Sequence, residues 1–354
     1  MNKLLAVVIA LSILLAACGG GSSTSGDKVL NLYAWSEYIP QQLLDDFTQQ
    51  SGIKVNYDTY SSNEELLAKL QAGASGYDVI IPSDYTVSIM TNQNFLEPLD
   101  MSKIPNFANI ADSAKGLVYD PQNKYTVPYQ WGTSCLVVDT SKVTRTITKW
   151  ADLWDPEFQG KVVLLDDTRE VLGMVLTVLG FDKNSTDPQQ LDEAKQKLLE
   201  LMPNVKLFDS DSPKTALLSG EVWLGQTWNG EAALAHNENP AIQYIIPEEG
   251  CTVWYDNLAI PTGAPHFDAA MQFINFVLDP RESILITMEF PYSNPNQAAL
   301  VLLQTEDPAA YDAYMNFAAT NPPADAMSRL QMIKDVGDAT TLWDRIWTEA
   351  KGGE

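Results

Sequence analysis

The sequence predicts an α/β protein of two parallel-sheet lobes joined by a hinge, on three observations. The chain has 354 residues, room for about two domains, and 45% of them are hydrophobic, enough to bury a core in each. A strand–helix–strand alternation begins at Val29 and restarts after Gly160. Between the two alternations lie the strand-like segments Cys135–Val138 and Val253–Ile260, which are expected to cross from one lobe to the other and so to make a hinge available.

The first residues read as an address. Lys3 precedes an uncharged apolar run, Leu4 to Ala17, too short for the ~20 residues that span a bilayer as a helix, so residues 1–17 are expected to be a cleaved signal. Leu15-Ala16-Ala17-Cys18 resembles the bacterial lipobox, which implies lipidation of Cys18 and a chain tied to the outer face of the cytoplasmic membrane or held in the periplasmic space. Residues 18–27, rich in Gly, Ser and Thr, are expected to form a flexible tether.

Val29–Ala34 is β-rich and is followed by a stretch from Pro40 to Gly52 in which Leu43, Leu44 and Phe47 recur at helical spacing before a terminating glycine. Ile53–Tyr57 is the second strand. Ser62 and Glu65 stand at capping-box spacing ahead of Leu66, Leu67 and Leu70, and Asp78–Pro82 is the third strand. After Gly160 come a strand at Lys161–Leu165, a helix at Thr168–Leu179, and strands at Val205–Phe208, Val222–Gln226 and Ile242–Ile246, with helices after Pro213 and Gly230. The division expected from this order is 28–134 plus 256–300 for the first lobe and 135–255 plus 301–354 for the second.

Charge narrows the partners. Lys plus Arg number 22 against 46 Asp plus Glu, a formal net charge of −24, which disfavours nucleic acid and favours cationic ligands. After Cys18, the cysteines are Cys135 and Cys251; a disulfide and a pair of buried thiols are both compatible with an oxidising compartment.

In open parallel sheets, ligands bind beyond the carboxyl ends of the strands. Here those ends read Trp35-Ser36-Glu37-Tyr38, Ser83-Asp84-Tyr85, Asp166-Asp167 with Arg169 and Glu170 close behind, Asp209-Ser210 and Trp228-Asn229, while Trp254 and Asp256 lie on a crossing segment. None of these ends carries lysine. Taken singly, the tryptophans suit a core, the acids suit helix starts and the serines suit caps. Taken together they suit one kind of ligand. Aromatic faces pack on methylenes and attract ammonium groups, and carboxylates give charge-assisted hydrogen bonds to N–H donors, a combination fitted to a linear polyamine.

Catalytic alternatives are thin. The sequence has no G-x-S-x-G elbow, no P-loop and no G-x-G-x-x-G, and His236 and His266 stand in no metal-ligating spacing, so neither a cofactor nor a metal is expected. Asp167 and Glu170 as a glycosidase pair leave little room for a sugar, being three apart on one helix. A carrier for another cationic solute, or remotely a secreted glycoside-acting lipoprotein enzyme, remain the alternatives.

The segments Leu32–Pro40, Tyr77–Ser83, Pro128–Gly132, Trp150–Trp154, Asp166–Val171, Leu201–Val205, Trp228–Gly230 and Trp254–Asp256 resemble the spermidine/putrescine-binding proteins of bacterial ABC uptake systems, over roughly Leu30 to Gly337. The resemblance implies a periplasmic-binding-protein-like fold of two Rossmann-like lobes closing on the ligand, no enzymatic activity, a monomer, and a permease as partner. It also implies ligand contacts at Trp35, Ser36, Glu37, Tyr38, Ser83, Tyr85, Asp167, Glu170, Ser210, Trp228, Trp254, Asp256 and Tyr292. Trp254 would be the wall for the alkyl chain, Asp256 and Glu170 would take an internal amine, and Asp167 a terminal one. Asp84 departs from the family, which often has an uncharged residue there. Gln331 falls out of register with a late family glutamine and is not counted among the contacts. Spacing along the chain does not decide between spermidine and putrescine.

Overall fold

The computed structural model describes residues 28–73 and 76–352. The expected signal, Cys18 and the tether fall outside them.

The first lobe opens with β1 (Val29–Trp35), α1 (Gln41–Ser51), β2 (Lys54–Tyr60), α2 (Asn63–Gln71), β3 (Val79–Ile80) and α3 (Asp84–Asn92). Strand β4 (Thr126–Asp139) crosses to the second lobe, which holds β5 (Val162–Leu164), α4 (Thr168–Val178), α5 (Pro188–Leu201), β6 (Val205–Phe208), α6 (Pro213–Leu218), β7 (Leu224–Trp228), α7 (Asn229–Glu238) and β8 (Ile242–Ile245). Strand β9 (Cys251–Ala259) crosses back to α8 (Phe267–Val277) and α9 (Pro280–Glu289). Then follow α10 (Gln297–Glu306), α11 (Pro308–Met315), the short β10 (Leu330–Gln331) and α12 (Thr340–Ala350), the last packed on α4 and α5.

Both lobes are parallel at heart, as the alternation predicts: β1 pairs in parallel with β2 and β3, and β5 with β6 and β7. Their sheets are not separate, however. The crossing strands are longer than the sequence suggested, pair antiparallel with each other, and join the two trios into one continuous sheet of order β2-β1-β3-β9-β4-β7-β5-β6. The apolar runs that mark the strands give no sign of this joint, because register between distant strands is set by packing. The last strand of the second trio also starts at Leu224 rather than Val222.

Local signals account for the helix ends. Gly52, at φ +69°, takes the left-handed conformation that closes α1, and its N–H reaches Thr48 O at 2.9 Å. Ser62 caps α2 by accepting the Glu65 N–H at 3.1 Å, while the Glu65 carboxylate returns to the Ser61 N–H at 3.1 Å, one residue before the expected position. Asp167 caps α4, accepting from the N–H groups of Arg169 and Glu170.

Each lobe has its own core. In the first, Leu30, Leu32, Phe47, Val79 and Phe273 pack on one face of the sheet and Tyr33, Leu66, Ile80 and Met90 on the other. The second buries Trp150, Phe158, Leu172, Leu198 and Trp343. Where the crossing strands enter the second lobe, Cys135 and Cys251 form a disulfide, their Cα atoms 5.3 Å apart. His236 and His266 serve the backbone and a buried acid: the His236 ring bonds Ile242 O, and His266 lies 3.0 Å from Asp78.

Candidate functional site

The carboxyl ends of β1, β3, β5 and β7 converge, with β9 as floor, on one cleft. All thirteen residues singled out from the sequence line it. From the first lobe come Trp35, Ser36, Glu37, Tyr38, Ser83, Tyr85 and Tyr292, from the second Asp167, Glu170, Ser210 and Trp228, and from β9 Trp254 and Asp256. Asp166 and Asp209 turn elsewhere, the former pairing with Lys351 at 2.5 Å and the latter accepting N–H bonds from Asp211 and Ser212.

The aromatic walls are anchored through their polar edges. Each indole N–H is already engaged: Trp35 with Ile81 O at 3.0 Å, Trp228 with Ser210 O at 2.9 Å, and Trp254 with Ser134 Oγ at 3.1 Å. Trp254 stands edge-on to Trp228 and Tyr292, with ring centroids 6.2 and 5.5 Å apart. The residues left to contact a ligand polarly are therefore the acids and hydroxyls.

Those acids are held tightly. Asp256 is buried and accepts from Tyr38 and Ser83, each at 2.6 Å; burial nevertheless pushes its carboxyl up to about 7. Glu170, 2% exposed, accepts Ser134 Oγ at 2.9 Å and Thr252 Oγ1 at 2.5 Å, and burial carries it to about 7 against the pull of Lys183. Asp84 is the most isolated. It is 1% exposed, its Oδ2 has no partner among the described residues, and burial holds its carboxyl well above the usual range.

Sequence reasoning missed several lining groups: Ser61, Asn63, Asp211, Glu231 and Ile333. Asp211 follows Ser210 and Glu231 follows Trp228-Asn229, so the strand-end rule reaches both. Ile333 carries no local signal. Lys214 also escaped, because it lies on α6 rather than at a strand end. Its ammonium binds Glu37 of the first lobe at 2.6 Å and buried Glu231 of the second at 2.9 Å, clasping the rim; Ser36 Oγ adds a second interlobe bond to Asp211 at 3.3 Å. Glu37 reaches Lys214 from a left-handed backbone, φ 48°, the kind of local strain that the surrounding structure must hold in place. Gln331 is exposed and does not line the cleft.

The lining therefore carries seven carboxylates and no lysine, arginine or histidine. Such a cleft can hold a flexible cation by ring faces and charge-assisted hydrogen bonds.

Residues 42–328 match the family of bacterial extracellular solute-binding proteins. A spermidine/putrescine-binding periplasmic protein of Salmonella typhimurium is 39% identical over 331 residues, 93% of each chain. Among solved structures, a Listeria monocytogenes protein assigned to spermidine/putrescine ABC transport superposes with a TM-score of 0.87 at 33% identity, covering 92% of this chain and 99% of that one. The TpPotD lipoprotein of Treponema pallidum does so with a TM-score of 0.79 at 32% identity, over 91% and 99%.

Proposed function

Since the chain belongs to the bacterial extracellular solute-binding proteins, we propose that it captures a polyamine, spermidine or putrescine, outside the cytoplasmic membrane and delivers it to an ABC permease. One observation carries the choice of ligand: a cleft between two lobes lined by seven carboxylates and three tryptophans, with no cationic side chain in the lining. The thirteen residues named from the sequence are the proposed contacts, with the ammonium groups on Asp256, Glu170 and Asp167 and the methylenes on Trp254. No covalent step is involved. Lobe closure, driven by contacts made to both lobes at once, is the state the permease reads. Cys18 carries the lipid that keeps the monomer at the membrane, a reading supported by its place after Leu15-Ala16-Ala17 and by the similar protein described as a lipoprotein.

A thermal-shift panel of spermidine, putrescine, amino acids and oligosaccharides tests this. A rise in melting temperature with the polyamines alone is expected by linkage. A rise with another cation instead, or turnover of a glycoside, would replace the reading.

A further inference from the structure

Lys183, in the loop between α4 and α5, is 3% exposed and does not line the cleft. Its ammonium donates to Thr252 Oγ1, and the Thr252 hydroxyl donates to Glu170 Oε2 at 2.5 Å. No cation among the described residues makes direct ion-pair contact with Glu170. The other titratable groups near the pair are Asp167, which caps the helix, Arg169 on that helix, Asp84 of α3 and Tyr244 of β8. Arg169 is occupied elsewhere, donating to Asn184 and to Lys334 O and lying over the Trp343 ring. The acids nearest Glu170 thus favour its protonation, and Lys183 is the cation wired to it.

We infer that Lys183 is a positioning residue that acts through Thr252 to favour the ionised form of Glu170 and to orient it for an ammonium group. The inference rests on the polyamine reading above and extends it to a residue outside the cleft. Burial pushes Lys183 down to about 8 and Glu170 up to about 7, and each group opposes the other's shift, so more of the pair stays charged near neutrality than burial alone would leave. A buried lysine without such a partner would be neutral or absent.

Two neutral variants, Lys183→Met and Lys183→Gln, test this by calorimetric titration of spermidine and putrescine between pH 6.5 and pH 8.5. Removing the charge raises the pH at which Glu170 ionises. Expected for both variants is an affinity about tenfold below wild type at pH 6.5 and within about threefold at pH 8.5, with more protons released on binding at the lower pH. Equal loss at both pH values, no loss, or an effect in Lys183→Met that Lys183→Gln lacks would overturn the inference, since packing or a hydrogen bond would then be responsible. Wild-type protein that binds neither polyamine would overturn the ligand reading itself, and this role with it.

Discussion

Tyr38 and Asp256, 218 residues apart in the chain, meet at 2.6 Å, the phenol donating to the carboxylate that forms part of the cleft floor. With Ser83 donating to the other oxygen, Asp256 is fixed in place, and its charge is left for a ligand to balance. Asp256→Asn is therefore expected to weaken spermidine binding by about 1–3 kcal/mol, since a charge-assisted bond becomes a neutral one. Isothermal titration of the variant checks this; unchanged affinity would remove Asp256 from the contact set.

Proton linkage follows from the same burial. Asp256 and Glu170 both ionise at about 7, well above their values in an unfolded chain. Their contribution to stability is present at acid pH and is lost as pH rises through 7, so the empty protein should melt higher at pH 5.5 than at pH 8. A bound polycation reverses the preference, because it favours the ionised carboxylates. Affinity should rise with pH through 7, and titrations near pH 7 in buffers of different ionisation enthalpy should report proton release on binding. Proton uptake would contradict the assignment.

The rim clasp has a testable energy. Lys214→Met leaves Glu231, itself at about 7 and 3% exposed, buried without its cation. At pH 8 the loss of stability should be about 1–3 kcal/mol, and Lys214→Met combined with Glu231→Gln should recover most of it. Additive losses in denaturant melts of the double variant would show that the two residues are not coupled.

Gly132 on β4 is where the floor leaves no room. A Cβ there would run into Asn229 Oδ1 and come within 2.5 Å of the Trp254 indole. Gly132→Ala should therefore lower stability by about 1–3 kcal/mol and polyamine affinity at least about tenfold, by moving Trp254. Thermal melts with titrations would check both; an unaltered affinity would mean that Trp254 is not the wall on which the ligand lies.

Part of the cleft lining is legible in the sequence, because it follows strand ends. Trp35, Ser83, Asp167, Ser210 and Trp228 each stand at or just past the end of an apolar run, where a parallel sheet presents side chains to a ligand. Tyr292 has no such marker and was reached through the resemblance alone. Lys214 and Lys183 were out of reach, since each matters through a partner far along the chain: Glu37 lies 177 residues from Lys214, and Thr252 lies 69 from Lys183.

By itself the sequence determined the order of strands and helices and the chemical character of the strand ends. Periodicity, caps and turns act over a few residues and are written in neighbouring letters. Only the tertiary structure decided that β4 and β9 fuse the two sheets, that Cys135 bonds Cys251, and that Asp256 and Glu170 ionise near neutrality. Register, cross-linking and ionisation depend on which distant groups are packed together and how far water is excluded from them, and a linear order of residues holds neither quantity.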